Sequence, residues 1–375
     1  MVHLIEFIKK ETVFCIAFLL AVVSSFIIPV DKAYVNYLNF RVLVLLFSLM
    51  TVMAGLQALG FFEKLSYALL KYVKSMRSLT ILLVSLCFFL SMFITNDVAL
   101  ITFVPFTLLI FERIDRPGKL ISIVVLETIA ANLGSMMTPI GNPQNLYLYG
   151  LSGFSPMQFI AHMAPVTCVS FLMLMALGIF AKSEKITIAD QRGSSFDPKP
   201  ALAVYYFILF ALCLLVVAYI IPYPVLLVIN IPVLLLFDSS TLKKVDYCLL
   251  LTFISFFVFI GNMQRIPAVS DWISSLVSGR ELLVSFLCSQ VISNVPAAIL
   301  LSGFTQNYDQ LLLGVNIGGL GTLIASLASL ISFKYFSNYA AKLPKESGIT
   351  KGRYLLHFTL MNVLFAVVLL LVAFV

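Results

Sequence analysis

Two polar clusters interrupt long apolar stretches of this chain, and both contain residue types that bind ions. The clusters are Thr95-Asn96-Asp97 within residues 79–111 and Ser293-Asn294-Val295-Pro296 within residues 281–303. Their amide, hydroxyl and carboxylate groups supply hydrogen-bond donors for an anion and oxygen ligands for a cation. Because such residues favour helix caps and turns over the middle of an apolar helix, we interpret both stretches as re-entrant helical hairpins with the clusters at their tips.

A second pair of polar segments follows the hairpins and repeats one motif, N-[LI]-G-x-x-x-T-x-I. The motif spans residues 132–140 and again residues 316–324. Because the two matches follow the two hairpin tips in the same order, they predict an internal duplication. The polar and helix-breaking residues concerned are Asn132, Gly134, Ser135, Thr138, Pro139, Gly141 and Asn142 in the first half, and Asn316, Gly318, Gly319 and Thr322 in the second.

These segments are expected to leave the helical conformation inside a membrane, where unpaired backbone groups are tolerated only around a cavity or a bound ion. Glycine permits the unwinding, polar side chains cap the half-helices, and each half-helix N-terminus presents about half a positive charge to an anion. Released carbonyls coordinate cations such as sodium. The pattern predicts one shared site, although the asparagines could simply satisfy neighbouring backbone. The candidate sodium ligands are Asn96, Asp97, Asn132, Asn294 and Asn316.

Two acidic residues, Asp97 and Glu127, fall within the predicted membrane segments. Burying an ionised carboxylate there costs several kcal/mol or more unless it is paired or protonated. Our hypothesis is that Asp97 binds sodium or a proton as the coupling acid, and that Glu127, five residues before Asn132, assists. As alternatives, Asp97 could act only as a helix cap, and Glu127 could lie nearer the end of its span.

The elements that must position these residues are predicted from composition and apolar runs. The chain is 61% hydrophobic and only 11% charged, against about 25% charged in soluble domains. Apolar runs of about 20 residues recur along it, and each is long enough to cross a bilayer. We therefore expect an all-α polytopic protein with one membrane domain, residues 1–375. The predicted crossings lie near 12–30, 40–60, 119–149, 157–180, 200–221, 223–237, 247–260, 311–334 and 354–375.

The distribution of positive charge predicts the topology, because cytoplasmic loops concentrate Lys and Arg. With a cytoplasmic N-terminus, all but four of the 24 Lys and Arg lie in cytoplasmic loops, the exceptions being Lys32, Arg41, Arg265 and Arg280. This asymmetry requires both hairpins to be re-entrant, which predicts two inverted-topology repeats. The first repeat spans about 40–180, a cytoplasmic linker spans 181–199, and the second repeat spans about 247–375. The scattered charge indicates a lipid partner and no nucleic acid.

Several other function classes lack the motifs they require. The six cysteines stand alone in apolar sequence, so neither a disulfide framework nor a metal site is indicated. No metalloprotease, hydrolase or P-loop motif is present, which argues against an intramembrane enzyme and against direct ATP drive. A separate ATPase subunit remains an alternative that nothing in the sequence indicates, and a passive channel would need a ring of charge that we do not find. We expect no cofactor beyond a coupling ion, sodium or a proton.

The chain resembles the ion transporter superfamily, which includes arsenite permeases, NhaD-type sodium/proton antiporters, citrate transporters and divalent-anion/sodium symporters. The resemblance covers nearly the whole chain and rests on the two tips and on the segment from Asn132 to Asn145. It implies a secondary transporter with elevator-like or rocking motion in the cytoplasmic membrane, often a homodimer, that holds solute and cation at the tips. Two inverted repeats, each with a re-entrant hairpin and an unwound transmembrane helix, are the architecture expected of such a protein.

The tips also differ from one branch of that superfamily. The dicarboxylate branch typically has Ser-Asn-Thr at both tips, whereas this chain has Thr95-Asn96-Asp97 and Ser293-Asn294-Val295. The first tip resembles the arsenite-permease and antiporter branches more closely. We therefore expect a small anion as the solute, either a carboxylate such as citrate or a dicarboxylate, or an arsenite-like oxyanion. Sodium/proton antiport is the alternative.

Overall fold

A computed structural model describes Phe7 and residues 11–71, 73–112, 119–180, 183–186, 199–344 and 348–374. Within these residues the regular elements are helices, together with one isolated β-bridge between Ser75 and Lys185. Most of the predicted linker 181–199 lies outside the described residues. The α-helices are α1 (Thr12–Ile27), α2 (Tyr34–Tyr37), α3 (Phe40–Ala58), α4 (Phe61–Leu70), α5 (Met76–Ile94), α6 (Asn96–Phe111), α7 (Leu120–Ser135), α8 (Pro143–Ser152), α9 (Pro156–Phe180), α10 (Pro200–Val217), α11 (Pro224–Phe237), α12 (Ser239–Leu242), α13 (Tyr247–Gln264), α14 (Pro267–Val277), α15 (Glu281–Ile292), α16 (Asn294–Ser302), α17 (Tyr308–Ile317), α18 (Leu327–Ala340) and α19 (Lys351–Ala373).

Several of these helices are suited to a membrane by length and composition. Within the described residues six are long and apolar enough to cross, namely α3, α5, α9, α10, α13 and α19. A seventh span results if α14 and α15, which meet at a bend of 107°, are counted as one. The predicted all-α polytopic class is therefore confirmed. The inverted orientation of the two repeats and the re-entrance of the hairpins remain predictions. Helix α5, the first arm of the first hairpin, has 19 residues and is by itself long enough to cross the membrane.

Both predicted hairpin tips coincide with sharp breaks between helices. Helices α5 and α6 meet at Thr95 with φ 70° and ψ 152°, and α15 and α16 meet at Ser293 with φ 75° and ψ 154°. These are two of the three non-glycine residues with positive φ in the described part of the chain. Such a conformation costs about 1–3 kcal/mol in a residue with a side chain and persists only where surrounding structure enforces it. The matching angles agree with the predicted duplication.

The two predicted crossings that carry the repeated motif are interrupted rather than continuous. Helix α7 ends at Ser135, and α8 begins at Pro143, whose fixed φ suits a first helical position. Asn142 caps α8, because its Oδ1 accepts a hydrogen bond from the Asn145 N–H at 2.8 Å. In the second half, α17 ends at Ile317 and α18 begins at Leu327, with a short 3-10 turn between them.

Packing places these interruptions inside the protein. The first arm of each hairpin lies against the interrupted helix of its own half, α5 on α7 and α15 on α17. The second arm contacts the other half, α6 on α18 and α16 on α8. Helices α1, α3, α10, α11 and α13 pack beside one another. They contact the first interrupted helix through α3 on α8 and the second hairpin through α13 on α16. The two halves are therefore interleaved around their polar breaks.

Glycine brings each hairpin close to its interrupted helix. A Cβ on Gly134 would lie 2.0 Å from the Phe88 carbonyl oxygen, and one on Gly318 would lie 2.6 Å from the Ser289 hydroxyl. We expected Gly134 to permit unwinding, but it lies within α7, one residue before the end of the helix. Its role here is close helix contact, the use that small residues commonly have in membrane bundles.

Candidate functional site

Asn132 joins the first hairpin tip to the second half of the chain. Its side chain is buried in α7, and its Oδ1 accepts hydrogen bonds from Asn96 Nδ2 at 3.0 Å and from Ser326 Oγ at 2.9 Å. Its Nδ2 donates to Ser329 Oγ at 3.1 Å. Ser326 precedes α18 directly and Ser329 lies in its first turn. One predicted site residue thus connects three separate segments.

Asn316 has the corresponding role in the second half. Its Nδ2 donates to Asn145 Oδ1 at 2.7 Å and to the Leu312 carbonyl at 2.8 Å. Its Oδ1 accepts a hydrogen bond from Asn142 Nδ2 at 3.1 Å. The same Asn142 amide also donates to Ser135 Oγ at 3.2 Å. The motif asparagine of each half is therefore bound by side chains at the start of the other half's second helix.

The two sets of hydrogen bonds are reciprocal. Asn142 and Asn145 lie ten and thirteen residues after Asn132, and Ser326 and Ser329 lie ten and thirteen residues after Asn316. Asn132 is hydrogen-bonded to Ser326 and Ser329, the two residues that follow Asn316. Asn316 is hydrogen-bonded to Asn142 and Asn145, the two residues that follow Asn132 at the same spacing. This exchange is what a two-fold relation between duplicated halves would produce. We call these six residues the asparagine network.

Asn145, which lies in the segment that was expected to line the site, donates its amide to the carbonyls of Ser135, Met136 and Thr138 at 3.0 to 3.2 Å, which satisfies the backbone that the break exposes. Two members of this network, Ser326 and Ser329, were not among the predicted site residues. The signal that could have found them is the spacing of ten and thirteen residues from the motif asparagine, since residue identity differs between the halves.

The predicted threonines hold the breaks against the hairpins. Thr138 donates its hydroxyl to the Met92 carbonyl, and Thr322 donates its hydroxyl to the Gln290 carbonyl at 3.0 Å. The Gln290 side chain, which we did not predict, donates to the carbonyls of Gly318 and Leu320 at 2.9 and 2.8 Å. Thr138 and Thr322 therefore lie outside the asparagine network and position the polypeptide around it.

At the second hairpin tip, the Asn294 side-chain amide has no hydrogen-bond acceptor among the described residues. Ser293 donates to the Ala325 carbonyl at 3.3 Å, which places this tip beside Ser326 of the asparagine network. Asn294 is 4% exposed, and its Nδ2 donates to no described residue. A Cβ on Gly319 would lie 3.0 Å from that nitrogen, so a side chain at position 319 would crowd the Asn294 amide. In the first tip, by contrast, Asn96 Nδ2 is bonded to Asn132.

The remaining predicted residues lie around the first tip and the breaks. The Gly141 carbonyl accepts a hydrogen bond from the Asn96 N–H at 3.2 Å. Pro139 is buried in the first break, and Pro296 is buried in the first turn of α16. All three border the network without contributing a side-chain hydrogen bond to it.

Both acidic candidates belong to the first half. The carboxylate of Asp97 accepts no hydrogen bond from a described residue, and the charge of Asp246 acts on it. Val295 occupies the matching position of the second tip. Glu127 is fully buried and accepts a hydrogen bond from Thr107 Oγ1 at 2.6 Å, but it has no hydrogen bond to the asparagine network. The structure thus brings Asp97, and not Glu127, to the hairpin tip.

The reciprocal bonds predict energetic coupling between the halves. Asn316→Ala leaves the buried Asn142 donor and the Asn145 acceptor without this partner, which costs about 1–3 kcal/mol per unsatisfied group. We expect the free energies of unfolding of Asn316→Ala and Asn142→Ala to be non-additive by about 0.5–3 kcal/mol, as is usual for residues in one network. The measurement is denaturant unfolding in detergent. Asn142→Ala combined with Asn230→Ala, a buried asparagine outside the asparagine network whose Oδ1 accepts a hydrogen bond from the Tyr205 hydroxyl, is the control, and equal coupling in both pairs would contradict the prediction.

Comparisons with known proteins agree with a transport role. A family model described as citrate transporter matches residues 2–332. An uncharacterized transporter of Methanocaldococcus jannaschii is 37% identical over 293 residues, 77% of this chain and 80% of the relative. The inner membrane protein YbiR of Escherichia coli is 30% identical over 331 residues, 87% of this chain and 88% of the relative. A silicon efflux transporter of Oryza sativa is 30% identical over 155 residues, 40% of this chain and 31% of the relative. These names indicate a transporter rather than an enzyme.

Proposed function

Because the chain belongs to the citrate transporter family, we propose that it is a secondary active transporter that moves a small anion across the cytoplasmic membrane. The family membership confirms the resemblance to the ion transporter superfamily. We propose that a sodium or proton gradient drives the movement. The observation that carries this proposal is the asparagine network, which gathers a hairpin tip and both helix breaks at one buried place.

The anion is proposed to bind at the second hairpin tip. Helix α16 begins there at Asn294, and its N-terminal N–H groups favour negative charge. The Asn294 Nδ2, which has no acceptor among the described residues, adds a hydrogen-bond donor. A carboxylate of citrate or of a dicarboxylate fits this chemistry, and so does an oxyanion. The rice relative is named a silicon efflux transporter, so we include inorganic solutes among the proposed substrates.

The coupling cation is proposed to bind at the first tip. The amide oxygen of Asn132 already accepts two hydrogen bonds and that of Asn316 accepts one, so these oxygens are engaged in joining the halves. Asp97 offers a carboxylate that accepts no hydrogen bond from the described residues. A hard cation prefers such an oxygen ligand. We therefore assign the cation to Asp97, with Asn96 and Asn294 as additional candidate ligands.

Sodium/proton antiport is the second candidate function. It is favoured by the difference between the tips, since Asp97 stands where the second half has Val295. In that mechanism the anion site would not be used, and Asp97 would exchange sodium for protons. For either function we propose a homodimer with a cytoplasmic N-terminus, which follows from the family resemblance and from the placement of Lys and Arg.

Flux through proteoliposomes tests both functions. Purified protein is reconstituted, and uptake of citrate, a dicarboxylate, arsenite and sodium is measured under imposed sodium or proton gradients. We expect one of the anions to accumulate above equilibrium and the accumulation to vanish when an ionophore collapses the gradient. Sodium movement against a proton gradient without any anion would favour the antiporter. Flux that only equalises concentrations would indicate a passive channel and contradict the proposal.

A further inference from the structure

Glu127 is a buried acid, and one of its two carboxyl oxygens has no hydrogen-bond partner among the described residues. Its side chain lies in α7 and is 0% exposed. Oε1 accepts a hydrogen bond from Thr107 Oγ1 of α6 at 2.6 Å, whereas Oε2 is buried and has no hydrogen-bond partner among the described residues. An ionised carboxylate in this setting is strongly disfavoured, and a protonated one carries no charge. The geometry therefore suits a group that holds a proton.

No positive charge compensates Glu127 in the described part of the chain. The ion pair found there, between Arg265 and Asp31, lies elsewhere. Among the described residues, the titratable side chains near Glu127 are Cys87 of α5 and Tyr354 of α19. Both are uncharged in their protonated forms. A structural ion pair, the commonest reason for a buried acid, is thus excluded by its described surroundings.

A group of hydroxyls lies close to this acid on α7, α18 and α19. Thr128 Oγ1 lies 2.6 Å from Ser332 Oγ, which in turn lies 3.3 Å from the Tyr354 hydroxyl. Further along α18, Ser337 has a buried hydroxyl oxygen with no partner among the described residues. Ser332 and Ser337 lie beyond Ser329 of the asparagine network, toward the end of α18 that our topology places at the cytoplasm.

The acid is separate from the solute site but lies on the same helix. Glu127 precedes Asn132 by five residues, about 7.5 Å along the axis. The matching residue of the second half is Leu311. A Glu–Thr pair does occur there, because Thr305 donates to Glu281 at 3.0 Å. Glu281, however, is the first residue of α15 and also accepts a hydrogen bond from the Gly279 N–H.

We propose that Glu127 is the proton-carrying residue of this transporter. The inference rests on the proposed transport function and adds a proton site on α7 to the cation site proposed at Asp97. A hydronium ion that reaches these hydroxyl groups gives a proton to Oε2, which forms an O–H bond and a neutral acid and leaves a water molecule. The reverse step breaks that O–H bond and gives the proton to a water molecule, which becomes hydronium. The closed protein tolerates the neutral acid, whereas the ionised acid requires water to enter, so solute movement is tied to protonation.

Infrared difference spectroscopy tests the proton site without any solute. Raising the pH of the purified wild-type protein should remove the C=O stretch of a buried, protonated carboxyl group. Glu127→Gln should lack this change, and Glu281→Gln, a matched substitution of a buried glutamate bonded by threonine, should keep it. An identical change in the wild type and Glu127→Gln would overturn the proposal.

Transport assays then test coupling. In proteoliposomes with labelled citrate as the probe, Glu127→Gln should lose accumulation driven by a proton gradient and keep citrate exchange between equal concentrations. The exchange rate should also lose its dependence on pH. Glu281→Gln should retain both wild-type properties. Proton-driven accumulation by Glu127→Gln contradicts the inference but leaves the transporter intact, whereas absence of citrate flux in the wild type contradicts citrate as solute and leaves the infrared result to decide on Glu127.

Discussion

Asp97→Asn is expected to reduce gradient-driven accumulation to the level of protein-free liposomes. Asn is close to Asp in size and shape, so this change preserves the packing at the hairpin tip while removing the carboxylate. The tip backbone should persist, because the Asp97 N–H bond to Asn96 Oδ1 does not involve the substituted side chain. Loss of transport would therefore arise from loss of the anionic oxygen ligand. Uptake under sodium and proton gradients is the measurement.

A nearby acid provides the control for this experiment. Asp246 lies close enough for its charge to act on Asp97, and its side chain caps α13 by accepting from the Leu249 N–H at 2.9 Å. Asp246→Asn removes a similar charge without touching the tip, and we expect accumulation to be retained. If Asp97→Asn transports as well as Asp246→Asn does, the Asp97 carboxylate is not required and the proposed cation site is wrong.

Gly134→Ala should destabilise the protein strongly although it adds a single carbon atom. The new Cβ would lie 2.0 Å from the Phe88 carbonyl oxygen, so α5 and α7 must separate. Overpacking of this kind costs about 1–3 kcal/mol and more where backbone must move. The expected result is a lower thermal unfolding midpoint in detergent. Because α5 carries the first tip, we also expect slower transport by the protein that remains folded.

Gly150→Ala is the matched control for this substitution. Gly150 lies in α8, where the nearest atom to an added Cβ is a Val42 side-chain carbon at 3.6 Å, an ordinary contact distance. Its substitution should leave the unfolding midpoint close to that of the wild type. Equal midpoints for Gly134→Ala and the wild type would show that the two helices can move apart and that their close contact is not required.

The positions of the breaks could be predicted because they depend on residue types that leave a mark in sequence. Polar residues within apolar runs identified Thr95 and Ser293, and repetition of the motif identified Asn132 and Asn316. In each case the local preference of the residue agrees with its conformation in the fold. Composition alone was sufficient for the all-helical membrane class.

The partners of the motif asparagines could not be predicted in the same way. One asparagine bonds two serines and the other bonds two asparagines, so a search for identical residues finds no match between them. The carbonyls of Met92 and Gln290 accept bonds through backbone, which side-chain type does not reveal. The role of Gly134 was likewise misjudged, because close helix contact depends on tertiary packing rather than on local preference.

The reciprocal network has a consequence for biosynthesis. Ser326 and Ser329 are separated from Asn132 by 194 and 197 residues, so the first half of the chain emerges from the ribosome before these two partners have been synthesised. Until the second half is inserted, the Asn132 side chain must bond water or other temporary partners, since an unsatisfied amide in lipid is costly. The hydrogen bonds of the asparagine network in both halves therefore form only when the chain is complete. A truncated first half would keep these groups unsatisfied and would remain a substrate for membrane quality control.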